Sequence, residues 1–313
     1  MAQASATPSA DNMVRTCSIW RALEDIGDAP ALLILEAIWM GASRFGELQK
    51  QTGLLKALLS DRLKRLVDKQ IIVKRPLMDA PKSHHYVLTH KGVELFPVVL
   101  MLYRWERQWG FDPSRRQLQI KHETCGQVLE PVTVCGACDE IFTLEDVAWQ
   151  PGPGVGWMAP HYSRRRNQQT IQSERPSLLK GSVEILGDRW AALIMRAVFT
   201  GVRRFDGIQA DTGAVPNTLS DRLKSLTDLG VIEARPYQHT PVRHEYFLTR
   251  KGYDYYYIIM MLMLWGDAFY GSPEGAPVLL THKACGQELK PHIICGSCGE
   301  TVQPQDVSIL TKD

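Results

Sequence analysis

The chain carries almost no excess charge. Across 313 residues, 36 Lys and Arg stand against 34 Asp and Glu, for a formal net charge of +2. A uniformly basic nucleic-acid coat is therefore excluded, and any basic patch must be local. Long apolar runs are missing too. The longest, 258–265, is far short of the ~20 residues that cross a bilayer as a helix. Residues 1–10 are small and polar and lack the apolar core of a secretory signal. A cytoplasmic protein without membrane contact is expected. Cysteine is sparse, at seven residues. In a reducing compartment, regularly spaced cysteines point to metal rather than to disulfides. No Ser/Cys–His–acid set stands out, so the chain is not expected to be an enzyme.

What the chain has is itself, twice. At a constant offset of 160, Gly27-Asp28 matches Gly187-Asp188, and Arg44-Phe45 matches Arg204-Phe205. Ser60-Asp61-Arg62-Leu63-Lys64 matches Ser220-Asp221-Arg222-Leu223-Lys224, and Lys91-Gly92 matches Lys251-Gly252. Each copy is long enough for a domain or a pair of small ones, not for a solenoid unit. Two similar modules suggest a pseudo-two-fold protein and a partner of matching symmetry, such as double-stranded DNA.

Periodicity gives the order within a copy. Helices are expected over 20–26 and 31–40, with 183–186 and 191–200 in copy two. A short helix from Arg44 (Arg204) ends at Gly53 (Gly213), since glycine tolerates the left-handed turn after a helix. The next helix, 55–70, shows a stripe of Leu55, Leu58, Leu59, Leu63, Leu66 and Val67. Its counterpart shows Val215, Leu219, Leu223, Leu226 and Leu229, with Pro216 suited to the first turn. A hairpin follows: strands at 71–75 and 84–89 around a turn at 76–83, then 231–237 and 243–249 around 238–242. A long helix over 91–109 (251–270) is apolar around most of its girth, as expected of a dimerisation helix.

This is the winged helix-turn-helix order. The expected class is α+β, mainly α: two tandem winged helix-turn-helix domains, each followed by a small zinc-ribbon-like Cys3His module. The boundaries read 1–16 disordered, 17–111 first winged domain, 112–149 first ribbon, 150–178 linker, 179–271 second winged domain and 272–313 second ribbon. The linker contains Arg164-Arg165-Arg166, either a solvated charge run or a phosphate contact.

The motifs Ile185-Leu186-Gly187-Asp188-Arg189-Trp190, Arg204-Phe205, Leu219-Ser220-Asp221-Arg222-Leu223 and Tyr246-Phe247-Leu248-Thr249 resemble the HxlR family of bacterial transcriptional regulators, a MarR-like group. Copy one keeps Ile26-Gly27-Asp28, Arg44-Phe45-Gly46-Glu47-Leu48 and Leu59-Ser60-Asp61-Arg62-Leu63, but has Ala29-Pro30 where copy two has Arg189-Trp190. The resemblance covers about 90 residues of each copy. It implies a sequence-specific DNA-binding regulator, with repression the expected sign and a small-molecule effector open. Family members are usually homodimers of one such domain, so this chain reads as a fused pair, a pseudo-dimer; a homodimer of tandem chains stays open. The alternative is a winged-helix protein-interaction module.

The candidate DNA-contacting residues are Lys56, Ser60, Arg62, Lys64 and Lys82 in copy one. In copy two they are Asn217, Thr218, Ser220, Arg222, Lys224 and Arg243. Asn217 and Thr218 suit base edges, because such a helix enters the major groove by its N-terminal end. Arg222 and Lys224 suit phosphate, although Arg222 has the alternative of an internal acid. Copy one carries Lys56, Arg62, Lys64, Arg65, Lys69, Lys74 and Arg75 against Asp61 and Asp68, while the copy-two stretch is nearly balanced. A division of labour follows, with copy one gripping phosphate and copy two reading bases.

Each copy ends in His-x2-Cys-x9-Cys-x2-Cys. This predicts two structural zinc sites, His122, Cys125, Cys135 and Cys138 in one, His282, Cys285, Cys295 and Cys298 in the other. Cys17 stands apart. A half-buried inert thiol is the first reading, since nothing in the sequence lowers its pKa; the resemblance adds the alternative of a redox sensor, because some relatives sense oxidants through a cysteine at this place.

Overall fold

A computed structural model describes residues 14–15, 17–77, 80–110, 118–158 and 177–311. Most of the expected disordered N-terminus, and Arg164–Arg166 of the expected linker, lie outside these residues. Copy one opens with β1 (Val14–Arg15), then α1 (Ser18–Ile26), α2 (Ala29–Trp39), α3 (Phe45–Thr52) and α4 (Lys56–Asp68). The hairpin β2 (Ile72–Leu77) and β3 (Ala80–Leu88) follows, then α5 (His90–Val93) and α6 (Phe96–Trp109). Strands β4 (Leu118–His122), β5 (Pro131–Cys135), β6 (Val147–Pro151) and β7 (Trp157–Met158) close the copy. Copy two repeats it with α7 (Lys180–Leu186), α8 (Arg189–Phe199), α9 (Phe205–Thr212) and α10 (Pro216–Asp228). It continues with β8 (Ile232–His239), β9 (Val242–Leu248), α11 (Arg250–Tyr270), β10 (Val278–His282), β11 (Pro291–Cys295) and β12 (Val307–Thr311).

Local chemistry explains the boundaries. Gly53 and Gly213 end α3 and α9 at φ of 71° and 69°, where a Cβ would be strained. Asp28 and Asp188 cap α2 and α8 by accepting backbone N–H bonds from Ala31 and Ala191. A Cβ at Gly92 would lie 2.2 Å from the Ile71 carbonyl oxygen, and one at Gly252 would lie 2.0 Å from that of Val231. The Lys-Gly pair thus lets the helix after the wing press against the strand before it. The wing strands pair from Ile72↔Leu88 and Ile232↔Leu248 and run further than expected, narrowing the turns foreseen at 76–83 and 238–242.

The helix expected over 91–109 is two helices. Pro97 has no N–H to give to the Val93 carbonyl, and its ring crowds that turn. The chain therefore breaks at Glu94 and Leu95 between α5 and α6. Copy two has Tyr257 at this position, and α11 runs unbroken for 21 residues.

The two copies are interleaved rather than strung in series. Helix α1 of copy one packs along α11 of copy two, and α7 packs on α6. Arg21 donates to the Tyr270 carbonyl at 2.6 Å, Ser18 to Asp267, and the Tyr270 hydroxyl to Asp25. Helices α6 and α11 also meet each other. Trp105 Nε1 donates to the Lys251 carbonyl at 3.0 Å, and Trp265 Nε1 to the Lys91 carbonyl at 3.0 Å. These are one contact seen from both ends of a pseudo-two-fold axis. Both indoles are buried, and such side chains dominate the energy of a seam. Trp20 and Trp190 stack edge-on across it at 5.8 Å, with the Arg189 guanidinium over both rings.

The ribbons correct the expected domain plan. All three strand pairs run between copies: β4 with β12, β5 with β11, β6 with β10. His122 is level with Val307, and Val147 with His282. The described strands of 118–151 and 278–311 therefore pair with each other across the copies rather than within two separate modules. The expected linker also opens inside this pairing, because Gln150 and Pro151 end β6 opposite Leu279 and Val278.

Candidate nucleic-acid interface and metal centres

Each recognition helix, α4 or α10, buries a stripe against its own domain: Leu59, Leu63 and Leu66, or Leu219, Leu223 and Leu226. The first position of each expected stripe is misplaced. Leu55 is 75% exposed and Val215 61%. Both are the residue before the first helical turn, where the side chain has not yet rotated toward the core. They stand beside Lys56 and Asn217, which are exposed, and Thr218, which is half-buried. The start of each recognition helix thus offers an apolar knob next to a polar or charged group. Such a knob suits the methyl group of thymine. A propensity argument missed this, because apolar residues were assigned to the core.

Ser60, Lys64, Ser220, Lys224 and Arg243 are exposed. Lys56, Lys64, Lys224 and Arg243 make no ion pair among the described residues. Of Lys82 only the backbone is described, within β3. Arg62 and Arg222 differ from that set. Arg62 Nε donates to Asp28 at 2.8 Å, and Arg222 Nε to Asp188 at 2.5 Å. Each arginine ties the recognition helix to the cap of the core helix, 34 residues upstream in both copies. In copy one Arg65 joins Asp28 at 3.6 Å, and Lys69 meets Asp25 at 2.8 Å. Three of copy one's surplus basic groups are thus held internally, which leaves Lys56, Lys64, Lys74 and Arg75.

The wings differ in chemistry. In copy two, the Arg204 guanidinium lies 4.5 Å from the Tyr237 ring while its Nε donates to Glu245 at 2.9 Å. Arg203 and Arg235 sandwich Phe247 at 4.5 Å and 4.4 Å. These stacks fix the arginine stems on the wing. They were not anticipated; the Arg203-Arg204 pair facing Tyr and Phe on a strand was the available signal.

The Cys/His residues gather into two clusters, but not the expected ones. One holds His122, Cys125, Cys295 and Cys298; the other Cys135, Cys138, His282 and Cys285. Each joins the His-x2-Cys half of one copy to the Cys-x2-Cys half of the other. The cause is the strand exchange: pairing of β4 with β12 and β5 with β11 carries each half-site across the axis. Within the first cluster, His122 Nδ1 lies 3.4 Å from both Cys125 and Cys298 Sγ, and Cys125 Sγ lies 4.0 Å from Cys295 Sγ. In the second, His282 Nδ1 lies 3.3 Å from Cys138 and 3.4 Å from Cys285, and Cys135 and Cys285 are 3.9 Å apart. Sulfurs about 2.3 Å from one tetrahedral zinc would be about 3.8 Å apart, so the donor sets fit that ion. Backbone amides of Ala137 and Cys138 point at Cys135 Sγ, and those of Ser297 and Cys298 at Cys295. Burial pushes both thiols up, while these amides and the neighbouring thiols hold them below the ordinary value; the adjacent Cys138 and Cys298 are pushed up in turn by those same neighbours.

Cys17 is buried at the start of α1, and its thiol faces Arg196 of copy two.

The HxlR-like helix-turn-helix family model matches residues 26–113 and 185–274, together more than half of the chain. An uncharacterised HTH-type transcriptional regulator of Mycobacterium tuberculosis is 42% identical over 127 residues, 41% of this chain and 80% of the relative. The HTH-type transcriptional regulator YodB of Bacillus subtilis is 30% identical over 95 residues, 29% of this chain and 82% of its own. A solved structure of a candidate transcription factor from Pseudomonas aeruginosa is 34% identical, covering 39% of this chain and 82% of that one at a TM-score of 0.31.

Proposed function

This chain belongs to the HxlR-like helix-turn-helix family, and from that premise we propose that it is a sequence-specific repressor reading a pseudo-palindromic operator with two fused winged domains. The similar curated proteins are HTH-type transcriptional regulators. The observation that supports the finer reading is the pair of recognition helices. Each carries an exposed N-terminal end, each is pinned by the same Asp–Arg bridge, and both hang on one interleaved core. Two half-sites about one helical turn, ~10 bp, apart are the matching target. One chain supplies both halves, so no second chain is required. Repression by occupancy asks nothing of the protein beyond that binding. The site of action is the cytoplasm.

The two Cys3His clusters are structural zinc sites in this reading. Four protein ligands leave no open position for substrate. Their work is to clamp one copy's half-site to the other's.

Selection of bound duplexes from a random library at ~150 mM salt tests the proposal, since nonspecific phosphate binding is weakened there. An enriched site with two half-sites one turn apart is expected. Absence of any enriched sequence with metal-loaded protein would overturn it.

A further inference from the structure

A cavity open to solvent lies on the seam between the copies, with about 740 Å³ of empty space when the solvent at its mouth is included. Copy one contributes the start of α1 and the turn entering β6. Copy two contributes the end of α8, the middle of α11 and the approach to β10. The wall is apolar, with Trp149, Phe199, Met260, Met263 and Val278 prominent. The polar end is Arg196, bordered by the Cys17 thiol.

The pseudo-symmetric place is built differently. At an offset of 160, Arg196 corresponds to Glu36, Thr200 to Met40, Met263 to Tyr103 and Ser18 to Leu178. At three of these four positions the copy-one side chain is the larger: Met40, Tyr103 and Leu178. The Tyr103 hydroxyl accepts from the Ile120 amide at 3.1 Å and spans the gap. Glu36 accepts from Ser177 Oγ at 2.9 Å and from the Leu178 amide. A homodimer would carry two equal cavities; fusion leaves the two places free to differ.

The charge at the open cavity is already neutralised. Arg196 pairs with the Asp211 carboxylate and donates to its backbone carbonyl at 3.1 Å. Both side chains are about nine-tenths buried, at 11% and 10% exposure. A ligand carboxylate would place two acids on one guanidinium in a low-dielectric site, at a desolvation cost with no second cation among the described lining residues. An uncharged oxygen acceptor can take a guanidinium N–H that Asp211 and Cys17 leave unused, without that cost. Methionine sulfurs and aromatic rings suit an aromatic body.

We propose that this cavity binds one uncharged aromatic molecule per chain, its oxygen acceptor toward Arg196 and its ring between Phe199 and the methionines of α11. The site stands whether or not the chain reads DNA, and its test reads binding alone.

Benzophenone is the probe: a neutral diaryl ketone whose excited state bonds to nearby C–H groups, those of methionine included. Calorimetry on the metal-loaded full chain should give saturable binding at one per chain. Irradiation should then place the adduct on Met260 or Met263. The double variant T200M/M263Y installs the residues that copy one already accommodates, and should weaken binding at least tenfold and remove the adduct. If thermal unfolding shows that variant to be destabilised, V278L, again the counterpart's residue, replaces it. Biphenyl-4-carboxylate should bind at least tenfold more weakly than benzophenone. Unsaturable binding, two per chain, adducts elsewhere, unchanged affinity in a folded filled variant, or tighter binding of the carboxylate would each overturn the proposal.

Discussion

Copy one and copy two share a fold and a ligand pattern, yet have diverged where a homodimer could not. Position 36/196 is an acid in one copy and a base in the other, and both side chains are buried. Position 97/257 is Pro in one and Tyr in the other, which breaks one long helix and spares its twin. The recognition helices start Leu55-Lys56 and Val215-Pro216-Asn217. What has not diverged is equally informative: the Asp–Arg bridge, the tryptophan-to-carbonyl bonds and the Cys/His spacing. The bridge fixes each recognition helix on its own core, while the tryptophan bonds and the Cys/His sets hold the pair together, so both halves keep them.

The sharpest way to break this symmetry is through the metal sites. If ligands are exchanged, C125S/C298S disables one site and leaves the other, with one zinc per chain. C125S/C138S disables both and leaves none. Ligand sets within each copy require the reverse, so metal analysis of the two variants separates the arrangements. Structural zinc in small domains contributes on the order of 10 kcal/mol of apparent binding free energy. C125S/C138S should therefore unfold far below the parent, while C125S/C298S retains half of the clamp.

The tryptophan seam comes next. W105A and W265A should each cost roughly 3–5 kcal/mol, the usual range for truncating a buried aromatic. W265A should lie at the upper end, since it also loses ring contacts to Phe269 and Tyr270. Denaturant midpoints measure both. A cost under ~1 kcal/mol for W105A would mean that α6, shortened by Pro97, contributes little to the pairing.

Glu36 and Arg196 differ in how they answer pH. Burial raises the Glu36 carboxyl from 4.5 to about 7, against the lowering effect of Ser177 and the Leu178 and Leu179 amides. A raised acid favours the folded state while protonated. Its contribution is complete below pH 4.5 and is lost as pH rises through 7. Roughly 3 kcal/mol of stability should disappear across that window. E36Q should remove most of this slope and be the more stable protein at pH 8. Arg196 stays charged throughout and adds no slope. Urea titrations of both proteins between pH 5.5 and 8.5 give the difference, and parallel curves would place the ionised Glu36 at no penalty.

Much of this architecture was legible in the sequence. The constant offset, the 3.6-residue stripes and the Gly and Asp punctuation located every major helix of both copies. The broken helix was misread as one continuous helix, although Pro97 was the available signal on steric grounds. The metal sets were only half legible. Spacing identifies each half-site, but two copies with identical spacing allow pairing within a copy or between copies. Only the strand exchange decides. Leu55 and Val215 were misread because periodicity counts residues and not the turn at which a helix begins. For Arg222 the sequence left phosphate and an internal acid open; for Arg62 it did not name the acid that the structure places beside it. The signal was there: Asp and Arg recur 34 residues apart in both copies.

The smallest expected effects bear on the division of labour at DNA. Lys56 has no ion pair among the described residues, so K56A should weaken binding about equally on specific and random duplexes. It should also reduce the salt slope by about one. Asn217 is exposed at the start of α10, where base edges are read, so N217A should cost ~1–3 kcal/mol on the selected site and little on random DNA. Val215 adjoins it, and V215A should relax any thymine preference at the same step by a smaller amount. Fluorescence anisotropy on both duplexes at two salt concentrations separates the cases. If K56A and N217A lose the same factor on every sequence, the copies grip DNA alike. The divergence at the recognition helices would then have to be explained by something other than base readout.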